Sequence, residues 1–481
     1  MYHVPREGHQ SEPAKTHLMW GNTHRWRMAR LGEEPRRKGI SVTPQPPSAA
    51  ELEAVKFCKE LIRIDTTNYG ENQGPGERVA AEYIMELLTE VGYDPVYLES
   101  EERRGSVIFR IPGKDPSRPA LVVHGHTDVV PADASEWKMD PFGGEEMDGL
   151  IWGRGAVDMK DMVAMILAVV RDMKINNWQP ARDLIVAFFA DEEAGGVYGA
   201  QWLVNNHPEL FEGATEAISE VGGFSVEVNG RRVYLLQTAE KGLAWLRLLA
   251  DGTAGHGSQI NTDNAVTELA AAIARIGQHS FDASLHPTVE DLLTGVADLA
   301  GIRFDPQDPA AIDEALAALG PAAKFVGATI KTNANPTQLD AGYKANVIPG
   351  GASAAVDLRY LPGEEKLAMD TIRELAGPNV RVEDIHRDIA LEAPFTTDLV
   401  DHMIGSLDAE DPGAVVLPYM LSGGTDNKSL ARLGIKGYGF APLRLPPELD
   451  FAGMFHGVDE RVPVDAIEFG VRVLTRFLKE A

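Results

Sequence analysis

Apolar positions recur along this chain at two spacings, and the changes between them predict its elements. Over 48–64 they return every three to four residues, with Ser48 placed as a helix cap and Glu51 as its reciprocal partner. The same spacing over 76–91 stops at Gly92. Residues 93–98 and 106–111 read as strands. Residues 121–123 are a short, wholly apolar run suited to a strand covered on both faces. A helix is expected over 159–173, where Met162, Met165, Ile166 and Val169 share one side. A second continuous apolar run, 184–190, predicts another buried strand. A helix over 198–205 and a short strand over 217–220 follow.

Beyond residue 240 the pattern changes. Strands at 242–250, 325–331, 352–360 and 380–387 alternate with helices at 264–278 and 364–375, in the order β-α-β-β-α-β. That order is a split βαβ unit. Two more helical stretches, 289–299 and 309–319, look like an insertion into it. Strands at 415–420 and 437–440 and a last helix over 464–479 then return to the first unit. The expected fold is α/β: a mixed sheet flanked by helices over 48–240 and 391–481, with an inserted α+β domain over 241–390. Residues 1–47 lack sustained periodicity and carry eight Lys/Arg against four Asp/Glu up to Thr43. They read as a disordered extension or a misassigned start, with Met19 and Met28 inside it.

Composition narrows the chemistry. A chain of 481 residues is too long for one ordinary core. No apolar run approaches the roughly 18–20 residues of a membrane span. The N-terminus has no signal-peptide pattern, so a cytoplasmic protein is expected. A formal charge of −27, from 45 Lys+Arg against 72 Asp+Glu, argues against nucleic-acid or anionic-membrane partners. The single cysteine, Cys58, leaves any metal to His, Asp and Glu.

Those residue types gather where predicted strands stop. Residues 121–131 run from apolar into His124, Gly125, His126, Thr127 and Asp128. His126 and Asp128, two apart, point to one side of an extended backbone, as a metal-binding histidine and the carboxylate behind it would. Asp158 stands just before a helix, Asp191, Glu192 and Glu193 end a buried strand, and Glu220 ends another. His456 lies in the last unusual stretch, 454–463. Three adjacent carboxylates at a buried strand end repel one another unless a cation compensates them. His126, Asp158, Glu192, Glu193, Glu220 and His456 could supply a paired-metal site. Two ions about 3.5–4 Å apart would share a bridging carboxylate and a water, with one further carboxylate left to take the water's proton.

These motifs, from Gly125-His-Thr-Asp through Gly153-Arg-Gly-Ala-Val-Asp and Asp191-Glu-Glu to His456, resemble the co-catalytic zinc aminoacylase family. That family includes carboxypeptidase G, succinyl-diaminopimelate desuccinylase, acetylornithine deacetylase and yeast carboxypeptidase S. The resemblance runs in order from about Ser48 to the end. It implies a zinc-exopeptidase-like fold with a lid and dimerisation domain, hence a homodimer. It implies two divalent ions, zinc first and cobalt or manganese as alternatives. His126 and Glu220 would bind one ion, Glu193 and His456 the other, and Asp158 both. Glu192 would be general base and acid, activating the water between the metals, and Asp128 would orient His126. His256 resembles the histidine that reaches the scissile carbonyl oxygen, often from a partner subunit. Asn346, Arg359, Gly423, Gly424 and Thr425 match positions near the substrate's carboxylate. A guanidinium fork independently suits Arg359 to that task. The loop reads Thr425-Asp426-Asn427, unlike the Thr-Ser-Asp of the desuccinylase branch. The implied activity is hydrolysis of an amide next to a free carboxylate, in a dipeptide or an N-acyl amino acid. A non-catalytic binding relative of the same fold and a di-metal phosphoesterase are the alternatives.

Overall fold

The computed structural model describes residues 46–481, so the expected extension lies outside the described residues except for its last two. The first helix, Ala49–Arg63, closes both halves of its capping box. The Glu51 N–H donates to Ser48 Oγ (3.3 Å) and the Ser48 N–H to Glu51 Oε2 (2.7 Å).

Among the described residues the larger sheet is mixed and has ten strands. Its path runs Val96–Glu99, Gly105–Ile111, Leu184–Phe189, Ala120–His126, Ala214–Ser219, Lys436–Gly439, Arg231–Glu240 and Leu391–Glu392. Val415–Leu421 and Phe224–Val228 also pair with Arg231–Glu240. At its centre Ala120–His126 runs parallel to both Leu184–Phe189 and Ala214–Ser219. All seven of its residues are buried. Alternate side chains explain why the run is apolar throughout. Leu121 and Val123 enter the core shared with the helices Ala49–Arg63, Lys160–Ile175 and Val464–Glu480. Ala120 and Val122 enter a second core with Leu203, Val204 and Leu430 on the other face.

The smaller sheet is antiparallel, in the order Asn333–Ala341, Gly351–Tyr360, Gly242–Asp251, Val380–Asp388. The helices Ala265–Gln278 and Glu365–Ala376 pack on it around Leu246, Leu248, Val356 and Leu358. This is the split βαβ arrangement that the element order implied.

Two expectations about this region are corrected. Residues 325–331 are not a strand. A short helix, Ala323–Gly327, stands there, and the strand follows at Asn333–Ala341. The apolar Phe325, Val326 and Ile330 suggested a strand because they pack against the core of the larger sheet. The true strand is a largely exposed edge, with Pro336 beside a register shift, and so lacks a buried alternation. The helices Pro287–Ala300 and Pro309–Ala317 also pack away from the smaller sheet. Val289, Leu292 and Val296 share a core with Leu235, Leu417 and Tyr419. Gly295 makes that contact possible, since a Cβ there would lie 2.6 Å from Leu417 Cδ2. Residues 241–390 are therefore not one packing unit, because the segment from Pro287 to Val326 belongs to the core of the larger sheet.

Candidate metal centre

The three parallel strands at the middle of the large sheet deliver His126, the Glu192–Glu193 turn and Glu220 at their carboxyl ends, where open α/β sheets present their sites. Asp158 and His456 come from loops on either side of a strand pair, Leu150–Trp152 with Arg461–Pro463. Two groups of donors result. His126, Asp158 and Glu220 form one, and Asp158, Glu193 and His456 the other, each with its donor atoms within 4.8 Å of one another. Asp158 faces both: its Oδ1 is 3.1 Å from His126 Nε2 and its Oδ2 is 3.3 Å from His456 Nε2. Glu220 Oε2 lies 3.4 Å from His126 Nε2, and Glu193 Oε2 lies 3.0 Å from His456 Nε2. Glu192 belongs to neither group, although it lines the same cavity.

Backbone geometry is set for this assembly. Asp191 and His456 have left-handed backbones (φ 68° and 57°), uncommon for residues other than glycine and held only where surroundings enforce them. Asp191 Oδ2 accepts from the Tyr198 N–H at 2.8 Å. Asp128 has a wider role than the spacing suggested. The nearest partner of His126 Nδ1 is the Asp128 backbone carbonyl at 3.0 Å, with the carboxylate at 3.4 Å. The Asp128 carboxylate accepts the backbone N–H groups of Glu192 (3.1 Å) and Glu193 (3.0 Å). Glu460, to which the sequence reading gave no role, does the equivalent for Asp158. Wholly buried, its carboxylate accepts from the N–H groups of Gly155, Val157 and Asp158 and from Arg154 Nη1 at 2.8 Å. Arg154 Nη2 also donates to the Gly457 carbonyl, tying the His456 loop to the Asp158 loop. Its sequence signal was proximity: Glu460 stands four residues after His456.

Charge shows what the centre requires. Burial, then the charge of Glu220, pushes the Glu192 carboxyl well above the usual range. Burial lifts Glu220 to about 7. Burial also opposes ionisation of Asp158, but hydrogen bonds from His126 and His456 more than offset it and hold this carboxyl low. Hydrogen bonds to Asp158 and Glu193 raise His456 to about 10. Burial would lower His126, yet the charge of Glu220 and its carboxylate partners carry it well above its ordinary value. Buried carboxylates thus crowd both imidazoles and raise one another, so the centre has a deficit of positive charge that divalent cations fit. Among the described residues Glu193 Oε1 is buried without a hydrogen-bond partner, which suits a metal-ligand oxygen. The donors are hard or borderline, and each group combines one imidazole with carboxylates, a set that suits zinc-like ions.

A cavity of about 480 Å³ opens from the centre. Of the expected substrate residues, Arg359, Gly423, Gly424 and Thr425 line it. The Arg359 guanidinium already makes two bonds to Asp357, at 2.7 and 3.2 Å. Thr425 is anchored by Glu240, which accepts from its N–H (3.1 Å) and hydroxyl (2.7 Å). His256 and Asn346 are not brought to this wall. They sit together, exposed, on a two-strand ribbon where Gly255–His256 pairs with Val347–Ile348. The His256 ring is held by the Ser258 hydroxyl at 2.8 Å. His124, the second histidine of the central strand, is buried and bonded through Nε2 to Asn427 Oδ1 (2.9 Å).

Known proteins share this arrangement of chain and fold. The model of peptidase family M20/M25/M40 matches residues 122–480. N-fatty-acyl-amino acid synthase/hydrolase PM20D1 of Mus musculus is 27% identical over 466 residues, covering 92% of this chain and 91% of that protein. Aminoacylase-1 of Sus scrofa is 25% identical, covering 89% of this chain and 95% of its own length. Among solved structures, the M20 family metallo-carboxypeptidase Sso-CP2 of Sulfolobus solfataricus superimposes with a TM-score of 0.70 at 18% identity, over 89% of this chain and 99% of that one. With the family pattern spanning most of the chain on a shared fold, this protein belongs to peptidase family M20/M25/M40, as a hydrolase of the metallopeptidase and aminoacylase type.

Proposed function

We propose that this chain hydrolyses the amide bond of an N-acyl amino acid, or of a dipeptide, next to a free carboxylate. The observation that carries the reading is Glu192. It shares a turn with Glu193 yet stands outside both donor groups, on the wall of the same cavity. A carboxylate in that position suits proton transfer.

His126, Asp158 and Glu220 would hold one divalent ion, and Asp158, Glu193 and His456 the other, with zinc as first choice and cobalt or manganese able to replace it. When bound, such a pair polarises the substrate carbonyl and makes a water acidic enough to attack near neutral pH. Glu192 removes the proton of the attacking water and delivers it to the leaving amine. Arg359 and the Gly423–Thr425 loop receive the substrate carboxylate, the arginine through the donors that Asp357 leaves open, and Asn346 joins them only when the ribbon it shares with His256 is brought to the cavity. His256 donates to the oxygen that gains charge, reaching it by lid movement or from a second copy in a homodimer formed through the lid.

Two relatives that match nearly the whole chain bear names for chemistry on N-acyl amino acids, which favours that substrate over a dipeptide. The test is a metal-reconstituted assay against N-acyl amino acids of varied acyl length and a dipeptide panel. Turnover of the N-acyl compounds is expected. Failure on every member, with two ions bound per chain, would discard the reading.

A further inference from the structure

A second polar cluster, none of which lines the cavity, lies behind the turn that carries Glu192 and Glu193. Arg104 is 1% exposed and Glu77 is fully buried. The guanidinium donates from Nη1 to Glu77 Oε1 (2.6 Å), from Nε to Asn72 Oδ1 (3.0 Å), and from Nη2 to Asn68 Oδ1 (3.2 Å) and the Gln73 carbonyl (3.0 Å). Its Nη1 is 4.0 Å from Asp191 Oδ1. Asn68 passes the contact on. Its Nδ2 donates to Asp128 Oδ2 (2.9 Å) and Asp191 Oδ1 (3.0 Å). Asp128 accepts the Glu192 and Glu193 N–H groups, and Asp191 is the left-handed residue at the head of the same turn.

Three buried carboxylates around one guanidinium, with Glu77 bonded to it directly and Asp128 and Asp191 reached through Asn68, are an expensive way to fill a core. Well-packed apolar residues would do so at least as well. Burial, then the charge of Asp128, lifts Glu77 to about 8 even with Arg104 pulling it down. What the cluster supplies is direction, because one oxygen of Asp128 and one of Asp191 are held by the planar Asn68 amide, which Arg104 itself orients.

We propose that Arg104 and Asn68 are positioning residues for the reaction. They fix the Asp128 and Asp191 carboxylates, and through them the turn that aims Glu192 at the attacking water and Glu193 at its ion. The proposal rests on the roles given to Glu192 and Glu193 above.

The test uses the full chain with zinc restored, as Asn68→Ala, Arg104→Met and Arg104→Lys. Asn68→Ala is expected to remain folded and to carry two zinc ions at saturation. Its kcat should fall about 10–100-fold with KM unchanged, and its more weakly held zinc should dissociate about tenfold more readily. Arg104→Met should lose at least as much and Arg104→Lys should recover part of it. If Arg104→Met does not fold, Asn68→Ala decides. Wild-type kcat and zinc affinity in Asn68→Ala would overturn the proposal, as would a kcat loss that merely follows the folded fraction. Should the wild type hydrolyse no amide, the functional reading fails, while zinc affinity still judges the network.

Discussion

The two histidine-bearing ends of this molecule are built in opposite ways. At the end of the large sheet, His126 is 1% exposed and has a carboxylate or carbonyl at each ring nitrogen. Asp158 beside it and Glu193 of the other donor group are anchored by their own backbone N–H groups, which Glu460 and Asp128 accept. On the lid, His256 is exposed, and its ring is held by a hydroxyl two residues away. The first is a buried centre whose donors are fixed by the backbone around them. The second is an exposed imidazole on a short ribbon, and the donor role proposed for it requires that something be brought to it. Electrostatic catalysis repays rigidity where charge is fixed, and lids repay mobility where substrate must enter.

Five substitutions would break or sharpen that contrast. Asp158→Ala removes the carboxylate that the two donor groups share, so elemental analysis should find both ions lost and turnover at background. Glu192→Gln should lower kcat about 10²–10⁴-fold while both ions stay bound, which separates the proton-transfer residue from the ligands. His256→Ala should cost about 10²–10³ in kcat without touching metal content, the scale of an oxyanion donor. If His256 acts across subunits, mixing this variant with Glu192→Gln should restore part of the activity. Arg359→Met should act chiefly on KM, raising it about tenfold or more, the worth of a charge-assisted carboxylate contact. The smallest catalytic effect is expected at His124, whose partner is Asn427. His124→Leu should cost about 1–3 kcal/mol in thermal or denaturant unfolding, because Asn427 loses its bond, and leave kcat nearly unchanged.

Removing both ions with a chelator bears on the same contrast. In the metal-free centre His456 is raised to about 10 by its hydrogen bonds to Asp158 and Glu193. A histidine raised above its ordinary value near 6.5 stabilises the fold fully below that value, and the contribution fades as pH rises through about 10. The chelated protein should therefore lose stability on the alkaline side more steeply than the zinc-loaded one, measured by melting temperature across pH 7–10.

Much of the framework was legible before any coordinates. The capping box at Ser48, the buried central strands and the split βαβ order follow from local patterns, because caps and burial on two faces leave marks within a few residues. So does the placing of His126, Asp158, Glu193, Glu220 and His456 at strand ends and joints, since a carboxylate or imidazole after an apolar run is conspicuous. Packing partners leave no such mark. The helices at Pro287–Ala300 and Pro309–Ala317 have an ordinary amphipathic pattern, which says that a face is buried but not against which sheet.

The sequence by itself determined that imidazoles and carboxylates stand where strands stop, and so what kind of chemistry the chain could host. Only the tertiary structure decided which oxygen faces which nitrogen. It separated Glu193 from its neighbour Glu192, turned Asp128 toward the backbone of their shared turn, and left His256 outside the cavity wall. It also brought Glu460 to Arg154 across 306 residues and Arg104 to Asn68 across 36. The reason is physical. Residue type sets which atoms can donate or accept, whereas distance and direction arise only when segments remote in the chain are packed together.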